Sequence, residues 1–211
     1  MIKTFNFDYI PDEFCSNIYI VGELHEACVI IDYGSTSKRL TEYIKSEYSE
    51  VKAVLITHGH FDHIRGLDLF HKNFPNTPIY IDRYDKELLK DAKLNSSNLT
   101  GEKVVINLSV KTFKDNEILN FGKGLKFKVY ETPYHTDGSV CFLNEEEHAL
   151  FTGDSLFKGS IGRADLITSN RSLIASSLET IKEFDKILIV YPGHGEITSM
   201  EKELINNQYL K

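Results

Sequence analysis

The sequence predicts an α/β architecture in which two β-sheets pack together with helices on their outer sides. Three observations carry this. Strand-like and helix-like stretches alternate along the 211 residues. They fall into two successive strand-rich halves, each with its own helices. No internal repeat, low-complexity linker or clear boundary divides the chain, so residues 1–211 are expected to form a single domain.

The elements follow in order. Residues 16–21 (SNIYIV) and 27–32 (ACVIID) read as strands around a turn at 22–26. Ser35 or Thr36 can cap a helix whose apolar positions Leu40, Tyr43, Ile44 and Tyr48 repeat at helical spacing. Residues 51–57 (VKAVLIT) form a buried-type strand, followed by a helix over about 64–74, a short strand at 78–81 and a helix over 84–93. The run 95–101 (NSSNLTG) is turn chemistry. Strands are expected at 104–106, 110–113, 125–130, 139–143 and 148–151. Ser169 or Asn170 then starts a helix with apolar Leu173, Ile174, Leu178, Ile181 and Phe184. Residues 187–191 read as a strand, and Thr198 with Glu201 as a T-x-x-E capping box for a final helix.

Composition narrows the function classes. A net charge of −7 disfavours a nucleic-acid binder that relies on a broad basic face. No apolar run approaches the ~18 residues of a membrane span. Residues 1–8 turn polar too soon for a signal peptide. The three cysteines, Cys15, Cys28 and Cys141, are widely spaced and contain no C-x-x-C pair, which argues against a zinc knuckle and a disulfide framework. Free thiols suit a reducing compartment, so a cytoplasmic location is expected.

The chemistry concentrates in histidine. Three of the eight histidines fall in Thr57-His58-Gly59-His60-Phe61-Asp62-His63. His58 and His60, two apart on an extended segment, point the same way, and a turn at Phe61 brings Asp62 and His63 to a neighbouring point. Imidazole nitrogens with a carboxylate suit zinc, iron or manganese. Four such residues exceed the three protein ligands of one open catalytic site. Further candidates follow predicted strands: His135 in Thr132-Pro-Tyr-His-Thr-Asp-Gly138, Asp154 in Phe151-Thr-Gly-Asp-Ser155, and His194 in Tyr191-Pro-Gly-His-Gly195. Each alone reads equally well as a loop or turn residue. Together with the first cluster the seven make two facing sites with room for water. Asp32 ends a buried strand, where it either orients a ligand histidine from behind or serves as a turn residue before Gly34. His25, His71 and His148 lie in a hairpin turn, on a helix and beside an acidic turn, and read as solvated or packing residues.

These motifs, in this order, resemble the metallo-β-lactamase-fold hydrolases, over a span from about Asn17 to Asn206. The segments 151–157 (FTGDSLF), 160–165 (SIGRAD) and 191–195 (YPGHG) resemble its short glyoxalase II-like (hydroxyacylglutathione hydrolase-like) branch. The resemblance implies a four-layer αβ/βα sandwich with metals at one edge of the two sheets. It implies that His58, His60 and His135 hold one metal, that Asp62, His63 and His194 hold a second, and that Asp154 bridges them, with Asp62 and Asp154 catalytic. The cofactors implied are two divalent ions, foremost Zn²⁺, with iron or manganese as alternatives. The chain differs from the branch in several places: Tyr134 and Asp137 stand around His135 where Gly and Pro are usual, Tyr33 follows Asp32 in place of Pro, and Arg65 follows the first motif. It is also expected to lack the helical C-terminal extension that helps full-length glyoxalase II bind glutathione.

The activity expected is hydrolysis of a thioester such as an S-acylglutathione, by attack of a metal-bound hydroxide at the dinuclear site. The partner is then a small molecule, with neither nucleic acid nor membrane involved. Arg163, nine residues past Asp154, is expected near the substrate, where its guanidinium can pair with a carboxylate; a structural ion pair with Asp165 is the competing reading. A mononuclear-iron oxidoreductase resembling persulfide dioxygenases, a lactonase or phosphodiesterase, and a binding domain with a vestigial site are the alternatives.

Overall fold

The computed structural model describes residues 1–5 and 16–211. Strands β1 (Ile2–Phe5), β2 (Ile18–Gly22), β3 (Ala27–Ile31), β4 (Glu50–Leu55), β5 (Ile79–Asp82) and β6 (Lys111–Phe113) lie side by side in chain order as one sheet. Strands β7 (Ile118–Asn120), β8 (Lys126–Glu131), β9 (Val140–Asn144), β10 (Ala149–Gly153), β11 (Ile189–Pro192) and β12 (Thr198–Ser199) form the other, again in chain order. Each half of the chain therefore builds its own sheet. In the first, β3 to β6 run parallel; in the second, only the β10–β11 pair does. Parallel neighbours need crossovers, and helices supply three of them. These are α1 (Lys38–Glu47), the pair α2 (Phe61–Ile64) and α3 (Leu67–Asn73), and α4 (Ile174–Lys182); α5 (Met200–Asn206) follows β12.

Strand alternation sorts the side chains into three cores. Ile18, Ile20, Cys28, Ile30 and Val54 face α1 and α3. Their neighbours Tyr19, Val21, Val29, Ile31 and Leu55 face the other sheet, where they meet Phe127, Val129, Phe142 and Phe151. Cys141, Leu143 and Leu150 face outward from the second sheet onto Leu178, Ile181 and Met200. Strands β2, β9 and β10 are buried on both faces, which is why their sequences read as continuous apolar runs. The expected arrangement of helix, sheet, sheet and helix layers is the one observed.

Several local expectations need correction. Residues 104–106 form no strand; Val104 and Ile106 are buried but bond outside any ladder, the Ile106 N–H donating to the Leu89 carbonyl. The helix expected over 84–93 is a short 3₁₀ segment, Lys86–Lys90. The helix expected over 64–74 is two, interrupted at Gly66, whose N–H donates to the Tyr33 carbonyl. Helix α1 begins at Lys38, later than a cap at Ser35 or Thr36 implies, and Ser35 Oγ accepts from the Ser37 N–H instead. The T-x-x-E box is absent: Ser199 caps α5 by accepting from the Lys202 N–H, while the Thr198 hydroxyl donates to Glu203. Strands β1, β7 and β12 were not expected. Residues 6–8 of the N-terminal segment, and Cys15, lie outside the described residues. Among the described residues no helix is long and apolar enough to cross a membrane.

Candidate metal centre

The strand polarity gathers the candidate residues at one edge. Strands β3 and β4 are parallel, as are β10 and β11, and β8 runs antiparallel to β9, which runs antiparallel to β10. The C-terminal ends of β8, β10 and β11 therefore share an edge of their sheet. The loops leaving them carry His135, Asp154 and His194, while those leaving β3 and β4 carry Asp32 and the 58–63 cluster. Two backbone bonds stitch the sheets together here: the Val140 N–H donates to the Thr57 carbonyl (3.0 Å) and the Asn17 N–H to the Gly193 carbonyl (2.7 Å).

All seven predicted ligand residues converge. His58, His60 and His135 form one group whose donor atoms lie within 4.8 Å of one another; Asp62, His63 and His194 form another, and His58, His63 and Asp154 connect them. Asp154 sits between the groups, Oδ1 3.3 Å from His63 Nε2 and Oδ2 3.3 Å from His135 Nε2. Asp62 Oδ2 lies 2.9 Å from His194 Nε2. A methyl group at Gly193 would come within 2.4 Å of Asp154 Oδ1, so glycine is required for this loop to close over the carboxylate.

Each of the four buried histidines has one ring nitrogen tied away from the centre. His58 Nδ1 meets Thr57 Oγ1 (3.2 Å), His63 Nδ1 meets Asp32 Oδ2 (2.7 Å), and His135 Nδ1 donates to the Arg163 carbonyl (2.8 Å). His60 Nε2 meets Thr168 Oγ1 (3.2 Å), which leaves its Nδ1 inward, 2.8 Å from His135 Nε2. Asp32 also accepts from the Thr57 N–H and hydroxyl, both at 2.8 Å, and holds a left-handed backbone (φ 57°) to do so. The inward atoms His58 Nε2, His63 Nε2 and Asp154 Oδ1 are buried without a hydrogen-bond partner. Buried polar atoms are rarely left so, and converging imidazole and carboxylate atoms without partners are what a cation would satisfy. The donor set fits divalent metal ions.

Electrostatics divides the site. Burial, reinforced by His63 and His135, holds His58 well below the usual imidazole range. Burial and His135 pull His60 down to about 3. Burial disfavours charge on His63 too, but Asp32, Asp62 and Asp154 override it and raise His63 well above the usual range. His194 is raised against its burial by Asp154 and Asp62. Burial works to raise both carboxyls, yet His63 and His194 keep Asp62 low, and His194 and His135 keep Asp154 well below the carboxylate range.

The remaining expectations fall outside the cluster. His25 and His148 are exposed turn residues at positive φ, and His71 lies half-buried on α3. The Arg163 guanidinium is 63% exposed and paired with Asp165 through two bonds (2.6 and 2.9 Å). Three contacts went unread in the sequence. Thr168 touches His60, the Arg163 carbonyl orients His135, and buried Asp85 accepts from Gly59, between His58 and His60, and from Thr136 and Gly138. Nothing local marks Thr168 or Asp85, because their partners stand 26 to 108 residues away.

Comparison with known proteins agrees with this geometry. The model of the metallo-beta-lactamase superfamily matches residues 11–194. The probable metallo-hydrolase YqgX of Bacillus subtilis is 33% identical over 187 residues, covering 88% of each chain. The hydroxyacylglutathione hydrolase GloC of Haemophilus influenzae is 28% identical over 208 residues, covering 97% of this chain and 98% of its own. Among solved structures, the BLEG-1 B3 metallo-beta-lactamase superposes with a TM-score of 0.89 at 33% identity, and TTHA1623 in a di-iron-bound form with 0.84 at 28%, each over the full length of both chains.

Proposed function

The chain belongs to the metallo-β-lactamase superfamily, and on that footing we propose that it is a metal-dependent hydrolase of thioesters, of the S-acylglutathione class. The observation that carries this reading is the set of four buried imidazoles, each with one nitrogen tied back and the other aimed at a shared centre beside Asp154. His58, His60 and His135 would hold one divalent ion, Asp62, His63 and His194 a second, and Asp154 would lie between them. Zn²⁺ is the first choice; the di-iron form of TTHA1623 keeps iron in view. Such ions would polarise a carbonyl and bring the pKa of a water toward neutrality.

The chain's own groups complete the chemistry. Asp62, kept ionised by His63 and His194, would serve as the anionic ligand of the second ion. His194, with 40% of its side chain exposed, stands at the open side of the centre. Cys28 and Cys141 are excluded as nucleophiles, since both are fully buried and burial pushes both thiols up to about 12. A thiolate leaves readily without a strong general acid, which suits a site whose imidazoles are turned inward. Likeness to GloC supports the glutathione thioester. The partner is then a small molecule.

The test is a substrate panel on protein reconstituted separately with zinc, iron and manganese. Turnover of an S-acylglutathione well above that of a β-lactam, a lactone and a phosphodiester is expected. Turnover of the β-lactam alone, or oxygen uptake with a persulfide at one iron per chain, would overturn the proposal.

A further inference from the structure

Asp85 contributes no atom to the centre, yet it is completely buried and its carboxylate is bonded to both halves of the chain. Oδ2 accepts the Gly59 N–H (2.7 Å) and the Thr136 hydroxyl (2.7 Å), and Oδ1 accepts the Gly138 N–H (2.9 Å). Gly59 lies between His58 and His60 on the loop after β4; Thr136 follows His135 on the loop after β8. A Cβ at Gly138 would stand 2.7 Å from Asp85 Cγ and Oδ1, so the second loop is built to close over this carboxylate. The loop is braced in turn by Ser139, whose Oγ accepts from the Thr136 N–H (3.0 Å). Asp85 itself is fixed at the head of the 3₁₀ segment, its carbonyl accepting from the Leu88 N–H (3.0 Å).

We propose that Asp85 is the positioning residue of the His58–His60–His135 trio: a clasp that joins the two loops and sets the spacing of the nitrogens they carry. The inference rests on the metal-centre reading above. Three charge-assisted donors hold one buried carboxylate and oppose the burial that pushes it up to about 6, and their fixed geometry makes the clasp stiff. The other trio is backed differently. Asp32 and Thr57 hold His63, and Asp85 makes none of the bonds recorded to Asp62, His63 or His194. Loss of Asp85 is therefore expected to loosen one trio and spare the other.

Asp85→Asn separates these outcomes. It keeps the shape, but one carboxylate oxygen becomes an N–H₂ that faces donors. Metal-free protein is titrated with cobalt(II) alone, followed by its visible absorption and by the shifted imidazole N–H proton signals of bound histidines. The variant is expected to lose roughly 10- to 100-fold in affinity at the step that shifts His58, His60 and His135, with the step that shifts His63 and His194 unchanged. Both affinities within twofold of wild type, or equal losses at both steps, would overturn the clasp. If Asp85→Asn fails to fold by circular dichroism, Thr136→Val removes a single donor and carries the same test with a smaller loss at the same step. Wild type that binds both equivalents, with Asp85→Asn losing the first, yet turns over no thioester would uphold the clasp and overturn the substrate reading. Wild type that binds no cobalt would overturn the metal centre and the clasp together.

Discussion

The two trios of the centre are built from the same residue types and differ in almost everything else. His58, His60 and His135 are all buried, at 1%, 4% and 3% exposure, and His58 and His60 are held neutral. In the second trio the side chains of Asp62 and His194 are 17% and 40% exposed, and its imidazoles bind protons more tightly than free histidine. The difference in charge follows from how far carboxylates counter burial. Asp32, Asp62 and Asp154 override it at His63, and Asp154 and Asp62 at His194, while at His58 and His60 burial and the neighbouring imidazoles prevail. An enclosed trio, with His58 and His60 held neutral, is suited to hold a cation permanently, and a more open one with protonated imidazoles to exchange a ligand and handle protons.

The largest effect is expected at the residue the trios share. Asp154→Ala should lose metal at both and lower turnover by more than the roughly 100-fold that outer contacts command, measured as metal content and initial rate. Full occupancy with a normal rate would make Asp154 a turn residue only. Next come the trios singly. His58→Ala should lose the cation that survives dialysis, and His194→Ala the one that a weak chelator removes. The same contrast should appear in pH. His63 and His194 must give up protons to bind a cation, so affinity at their trio should fall as pH drops below neutrality, while the first trio keeps its cation further into acid. Titration calorimetry at pH 5.5 and 7.5 reads this, and equal losses at both steps would dissolve the comparison.

Smaller effects test the periphery. Arg163→Ala should raise KM for anionic thioesters several-fold and leave kcat, metal content and Tm near wild type, because the pair with Asp165 is exposed and solvent screens such pairs. An early-melting variant with unchanged KM would make the ion pair structural. His71→Ala and His148→Ala should leave metal content unchanged, and a large loss in either would mean the histidines are wrongly divided.

What the sequence made legible follows from range. The 58–63 cluster is local, and the loops of His135, Asp154 and His194 announce themselves because each follows a strand-like stretch and stands near glycine or proline. Strands β2, β9 and β10 are legible because burial on both faces writes an apolar run. Strands β7 and β12, of three and two residues, are too short to show a period. Residues 104–106 carry the pattern of a strand but spend it on packing against the first core. Asp85 looked like any acidic residue at a helix start, and only the folded chain brings Gly59, Thr136 and Gly138 to it.

The most direct test of two unequal sites is equilibrium dialysis of metal-free wild type against zinc, with thioester turnover measured at each occupancy. Two binding steps are expected, the tighter one missing from His58→Ala, with turnover rising as the weaker fills. A single step of one equivalent, or full turnover before the second ion binds, would contradict the account.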